Sequence, residues 1–420
     1  MSKMTLREVV DTMLTYEGSE KATMLGIGPM SKTLIKAVLS LGKEKDFPVM
    51  FIASRNQVDA DEFGSGYVCH WDQARFAAAI KEVADEVGFD GLYYLCRDHG
   101  GPWQRDKERN DHLPEDEAMA LGKKSYLYDL LNGFDLLHID PTKDPYVVGK
   151  TIDMDVNIRR TVELIEYVET ERKKRNLPSI SYEVGTEETN GGLTSPENYE
   201  KFIQKLLSKL DEKGLPHPSF IVGNTGTLTR LTEQVGHVDS TSCKELSAIA
   251  KKYGVGLKEH NGDYLDDATC LEHPALGVTA MNVAPEFGTV ETLAYLQLIE
   301  TEKRLVGQGL IAEPSKLGTV LREEAVKSGR WKKWMVNGQD KLTPEEIFQD
   351  AALTQQITEI SGHYTFNNPR VKEEIARLYK NLAVSGIDGE KFVIYKIQAA
   401  VDHYVECFNL KGLTSRLQKA

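Results

Sequence analysis

The 420-residue chain is poor in cysteine: it has five, at Cys69, Cys96, Cys243, Cys270 and Cys407, and no C-x-x-C pair. An odd number of scattered thiols excludes a disulfide framework and a zinc ribbon, and points to reduced thiols in a cytoplasmic protein. No run of about 18 apolar residues is present, which excludes a transmembrane helix. The first fifteen residues alternate polar and apolar side chains and lack the apolar core of a signal peptide. Positive charge is in deficit, with 51 Lys+Arg against 64 Asp+Glu and a net charge of −13. That excludes a general binder of nucleic acid or anionic membrane, but not a phosphorylated substrate held by a local Lys or Arg. The glycine signatures G-x-G-x-x-G and G-x-x-x-x-G-K-[ST] are absent; after the first strand stands Gly26-Ile27-Gly28-Pro29-Met30. Tandem repeats and low-complexity stretches are also missing.

What is present is a regular alternation. Apolar runs of strand length begin near Thr23, Pro48, Gly91, Leu136, Ile180, Ser219, Val255 and Val278, and amphipathic helical patterns fall between most of them. Eight strand–helix units in about 290 residues predict an α/β fold, a (β/α)8 TIM barrel over residues 1–311. The rival is a doubly wound open sheet, which the first-strand glycine pattern disfavours. Residues 312–420 read as a helical C-terminal appendage. Thr343-Pro344-Glu345-Glu346 opens one of its helices with a Thr cap, Pro at the first position and an acidic first turn, and Pro369 opens another. Such an appendage would cover the barrel mouth or form a subunit contact.

Polar residues gather at the C-terminal ends of the strands, where the loops of a barrel converge. Asp98-His99 closes the third strand and Glu259-His260 the seventh, with Asp263 three residues on. Two histidines at the ends of separate strands meet near the axis, a pattern suited to zinc, or to manganese, cobalt or nickel. The plainer alternative for each is a strand-end cap. Glu183 sits within the fifth strand, facing either the barrel interior or the helices, and Glu187 lies just past Gly185. Asp140 is a further inward acid or a cap for the turn at Pro141. Asn56 and Gln57 suit sugar hydroxyls. Arg55 and Arg97 are anion anchors or surface ion pairs, and Gly223-Asn224-Thr225-Gly226-Thr227 is a phosphate cradle or a tight turn. His363-Tyr364 and Arg370 either reach over the site or pack a helix junction.

The ordered set Asn56-Gln57-Val58-Asp59, Asp98-His99-x-Gly-Pro, His138-x-Asp140, Gly185-Thr186-Glu187 and His260-x-x-Asp263-Tyr264 resembles the accessory, non-catalytic subunit family of class II D-tagatose-bisphosphate aldolase. The resemblance spans most of the chain. It implies a TIM barrel related to the metal-dependent class II aldolases, with ketose and ketose-phosphate 4-epimerases among the relatives. By this resemblance His99 and His260 are metal ligands, Asp98 is the acid–base residue, and Asn282 in Asn282-Val283-Ala284-Pro285-Glu286 contacts substrate. The catalytic aldolases carry a further metal His after the sixth strand, where this chain has Asn224-Thr225-Gly226, so Glu187 is the expected replacement ligand. The tagatose-6-phosphate kinase label once given to the family finds no nucleotide-binding loop here.

The expectation is therefore a divalent-metal enzyme acting at C3–C4 of a ketose or ketose phosphate by retro-aldol and aldol chemistry, most simply as a C4 epimerase. Asp98, Asp140 and Glu183 are its catalytic carboxylates and His99, Glu187 and His260 its metal ligands. Asn56, Gln57, Asp263 and Asn282 hold substrate. The alternative is a subunit that stabilises a catalytic class II aldolase. The expected partners are a sugar or sugar phosphate, that aldolase subunit, or a second copy of the chain.

Overall fold

A computed structural model describes residues 3–147, 149–186, 192–336 and 338–419. Eight parallel strands close into a barrel: β1 (Met24–Ile27), β2 (Val49–Ser54), β3 (Tyr93–Gly100), β4 (Leu136–Ile139), β5 (Ser181–Val184), β6 (Phe220–Val222), β9 (Gly256–Glu259) and β10 (Ala280–Val283). β1 pairs with β10 to complete the circle. The short strands β7 (Thr229–Arg230) and β8 (Glu233–Gln234) form an antiparallel ribbon in the loop after β6. Every barrel strand falls inside or within a few residues of an expected apolar run, and the open-sheet alternative is excluded by closure.

A helix follows each strand on the outside. Polar residues fix several of their starts: the side chains of Ser31, Asp72, Asp153, Ser195, Asp239 and Asp266 each accept a backbone N–H from the first turn. The helix Leu6–Met13 lies at the opposite end of the barrel from the mouth. Its Arg7 donates to the carbonyls of Pro218 and Gly254, just before β6 and β9.

Strand alternation sorts the polar residues between barrel interior and helix layer. Lys258 points inward to an ion pair with Glu183, whereas Glu259 points outward to His273. Arg97 likewise points outward. It donates to Asp129 and to the carbonyls of Ala53 and Val58, while Arg55 pairs with Asp59 and Glu108. Both arginines are fully buried, so neither is an anion anchor or a surface ion pair; they tie the β2 and β3 loops to the helix layer.

The helices Pro369–Val384 and Gly389–Cys407 share the barrel's hydrophobic core through Val371, Leu378, Val393, Ile397, Val401 and Tyr404. A second, smaller core gathers Val326, Trp331, Met335, Ile347 and Ile357. The Thr343 cap and the prolines opening the helices at Pro344 and Pro369 are as the sequence predicts, and Glu346 closes the first into a capping box. Among the described residues, no helix is long and apolar enough to cross a membrane.

Candidate metal centre

The centre starts from an irregularity in β3. Arg97 pairs with Leu137 and Gly100 with Ile139, so three steps on β3 face two on β4. The extra residue is a β-bulge, and it turns both Asp98 and His99 toward the axis where strict alternation would send only one. His99 takes a left-handed backbone (φ 42°), and its N–H donates to His138 Nδ1 at 3.2 Å. A non-glycine residue in this region is held there by its surroundings.

Three imidazoles meet at this point. Ring centroids lie 4.7 Å apart for His99–His260, 4.9 Å for His99–His138 and 5.1 Å for His138–His260. Asp98, His99, His138 and His260 offer ligand atoms all within 4.8 Å of one another. A carboxylate stands behind two of the rings. Asp140 Oδ2 is 2.6 Å from His99 Nδ1, and Glu183 Oε1 is 2.7 Å from His260 Nε2. Each carboxylate accepts a ring N–H, which leaves the other nitrogen of each ring as a bare lone pair. Those two lone pairs, His99 Nε2 and His260 Nδ1, face each other at 3.0 Å. Such a pair is repulsive unless a proton or a metal cation lies between them. The spacing is close to the ~3.3 Å that two nitrogens 2.0–2.1 Å from one tetrahedral ion would keep. The donor set therefore fits a divalent metal.

The surroundings tune these groups. Burial works to raise the Asp98 carboxyl, but the imidazoles of His99, His260 and His138 outweigh it and hold Asp98 below the usual carboxylate range. Asp140 and Glu183 are driven well below it, Asp140 chiefly by His99 and Glu183 chiefly by Lys258, each against the opposing effect of burial. Burial lowers His138 to about 4, which keeps it neutral, as a ligand or acceptor must be. Asn282 Nδ2 donates to Asp98 Oδ1 at 3.0 Å, and Gly26 leaves the space for this amide: a Cβ there would stand 2.2 Å from Asn282 Oδ1.

A cavity of about 290 Å³ opens above the centre, lined by Asp98, His99, His260, Asn282, Asn56, Gln57 and Asp263 among others. The four expected substrate contacts thus share one cavity with the expected base and two expected ligands. Asp140 and Glu183 depart from expectation. Neither lines the cavity, because each is engaged behind an imidazole. Glu187 lies outside the described residues. His138 is the residue that reading for site chemistry passes over. Its signal is the i, i+2 spacing to Asp140, which places both at one end of β4. The Gly223–Thr227 loop lies against a neighbouring segment: Thr225 bridges to Leu193, Asn224 N–H donates to Thr194 Oγ1, and a Cβ on Gly226 would meet the His237 carbonyl at 2.0 Å. From the C-terminal region, Lys333, Trp334 and Tyr364 reach the cavity, whereas Arg370 pairs with Glu323 and Glu324 elsewhere. His363 is buried, its ring against Gly288.

No curated protein matches the sequence. Among solved structures, a probable tagatose 6 phosphate kinase from Sinorhizobium meliloti 1021 superposes with a TM-score of 0.72 at 19% identity, covering 92% of this chain and 100% of that one. The fructose-bisphosphate aldolase of Campylobacter jejuni superposes with a TM-score of 0.52 at 14% identity, covering 97% and 94%. At these identities the likeness is one of fold. Residues 10–395 match the family described as D-tagatose-1,6-bisphosphate aldolase subunit GatZ/KbaZ-like. With nearly the whole chain inside that match, and with the barrel the resemblance implied, the protein is a member of the GatZ/KbaZ-like D-tagatose-1,6-bisphosphate aldolase subunit family.

Proposed function

We propose that this chain is itself an enzyme, a divalent-metal-dependent ketose or ketose-phosphate 4-epimerase working by retro-aldol and aldol steps. The facing lone pairs of His99 and His260, with the Asp98 carboxylate beside them, carry this reading. His99 and His260 would hold the metal, zinc first among the choices, with His138 and Asp98 at its edge and Glu187 completing the set. When bound, the metal supplies Lewis-acid polarisation of the substrate carbonyl.

The chain's own groups do the rest. In a ketose, C4 is β to the C2 carbonyl, so simple deprotonation at carbon cannot invert it. Asp98 takes the proton of the C4 hydroxyl. The O–H electron pair becomes the C4 aldehyde, the C3–C4 bond breaks, and its pair passes to C3 and is delocalised toward C2. Rotation of the aldehyde and re-addition on its other face, with Asp98 returning the proton, inverts C4. Asn282 keeps the Asp98 carboxylate aimed. Asn56, Gln57 and Asp263 bind hydroxyl groups. Asp140 and Glu183 act as positioning residues that set the ring tautomers. The region after residue 311 serves as an appendage to the barrel and covers the mouth, retaining the aldehyde so that re-addition wins over release. A cytoplasmic setting suits the five free thiols.

The family description favours a second reading, a subunit that supports a separate catalytic aldolase. Metal analysis of the protein purified alone, followed by incubation with a panel of ketoses and ketose phosphates, separates the two. Bound zinc or manganese that is absent from the His260→Ala variant, together with C4-epimerised product, is the expected result. No metal and no conversion would leave the subunit reading.

A further inference from the structure

One wall of the cavity above the metal centre is made by the loop after β2. The loop doubles back, so that Tyr67 N–H donates to the Asn56 carbonyl and Val68 N–H to the Gln57 carbonyl. Gly66 permits this close approach, since a Cβ there would stand 1.7 Å from the Gln57 carbonyl oxygen. Gln57 Oε1 accepts the Ser54 N–H at 2.7 Å, which fixes the amide and leaves Nε2 as the end it presents. That Nε2 and the Tyr67 hydroxyl converge on a single atom, Met30 Sδ, at 3.4 and 3.6 Å. All three residues line the cavity.

A thioether sulfur is a weak acceptor, and here it must serve an amide N–H and a phenol O–H together. A sugar oxygen arriving between the two donors takes both bonds on better terms. The phenol is held ready for it. Its ring meets that of Tyr364 edge to face at 4.8 Å, and the Arg330 guanidinium stacks 4.5 Å from its centroid, which draws charge from the ring and makes the O–H a stronger donor. The sheet sets where this pair of donors stands relative to the base. Ser54, to which Gln57 is tied, is the register partner of Asp98 on β3, so the pair is anchored one strand spacing, ~4.8 Å, from the strand that carries the base. In the ketose reading the C2 carbonyl lies toward the metal ligands and the C4 hydroxyl meets Asp98. The next oxygen beyond C4, on the side away from C2, is the one on C5.

We propose that Tyr67, together with Gln57, grips the C5 hydroxyl of the ketose and forms the pivot about which C4 turns. This rests on the 4-epimerase reading above and names what decides between epimerisation and cleavage. When the C3–C4 bond breaks, C4 becomes the aldehyde carbon of a separate fragment that still carries C5. Held at its C5 oxygen, that fragment turns about the C4–C5 bond, shows its other face to C3, and the bond re-forms with C4 inverted. Let go, it leaves; C3 then takes up the proton that left the C4 hydroxyl, and the reaction ends as two smaller products. Tyr67 is thus a specificity-determining residue, in contact with a substrate oxygen that takes no part in bond breaking.

The test uses the metal-loaded full-length protein with a ketohexose and its 5-deoxy analogue, each offered free and as the 1,6-bisphosphate. Two products are read, the C4 epimer and the released aldehyde trapped by a hydrazine. Wild type should epimerise the ketohexose with little release. Tyr67→Phe should raise the released share by about fivefold, the loss of one neutral hydrogen bond, while total C3–C4 cleavage and bound metal stay within about twofold. On the 5-deoxy analogue wild type and Tyr67→Phe should release the same share, which a general loosening of the loop would not produce. An unchanged share in Tyr67→Phe, or an equal rise on the 5-deoxy analogue, overturns the proposal. If wild type turns over no ketohexose, the epimerase reading fails on its own account. Wherever a probe is not turned over, the grip is read instead by calorimetric titration of both proteins. Ketohexose binding about fivefold weaker in Tyr67→Phe, with 5-deoxy binding equal in the two proteins, upholds it. Equal or absent ketohexose binding in both overturns it.

Discussion

Which nitrogen an imidazole presents is decided by what stands on its far side, and here Asp140 and Glu183 make that choice for His99 and His260. Replacing Asp140 by Asn removes a negative acceptor from His99 Nδ1 and frees the ring to flip. Metal affinity should fall about 10–100-fold, measured by competition with a chelator, while the fold persists. Asp98 works differently, since it touches the cavity rather than a ring's far side. Asp98→Asn should retain the metal and lose turnover by a factor of ~100 or more; wild-type-like rates would remove Asp98 from the role of base. Asp98, His99 and His260 are legible in the sequence because chemistry at strand ends stands out against apolar runs. The tasks of Asp140 and Glu183 are not, because a carboxylate beside substrate and a carboxylate behind a ligand look alike until the neighbouring strands are in register.

At the scale of the element, the bulge in β3 does what no single side chain could, delivering two consecutive residues to one face. Apolar runs bounded by Gly, Pro and Asp make most of the barrel strands legible, since a parallel strand buried on both faces is largely apolar. The helix Asp267–Leu276 is obscured by Pro274 in its last turn, and the β7–β8 ribbon is too short to leave a pattern. Arg55 and Arg97 mislead because a fully buried arginine is rare enough that exposure is the natural expectation. The helix Pro285–Gly307 carries a buried acid of another kind. Glu291 is held at about 8 by burial, with Ser31 as its hydrogen-bond donor. An acid raised from about 4.5 to about 8 on folding adds stability that is complete below pH ~4.5 and disappears as the pH climbs through 8. Glu291→Gln, which mimics the protonated form, should flatten the decline of stability between those limits and exceed wild type above pH 8 in urea unfolding.

For the molecule as a whole, the C-terminal helices are part of what holds the barrel. Tyr404 donates to Glu286 Oε2 at 2.5 Å and to the Gly262 carbonyl at 3.1 Å, reaching the loop that follows His260. Tyr404→Phe leaves that partly buried carboxylate short of a donor and should cost about 1–3 kcal/mol in urea unfolding. It should weaken metal retention as well, since the strand-end loop next to His260 loses a support. Thr23, at the start of β1, donates its N–H to the carbonyl of Phe408. The order in which the ribosome releases these parts then matters. Gly262 emerges 142 residues ahead of the tyrosine that braces it, so the nascent barrel stays incompletely furnished until the segment carrying Tyr404 has followed. The pocket beside His260 comes of age only with that later segment.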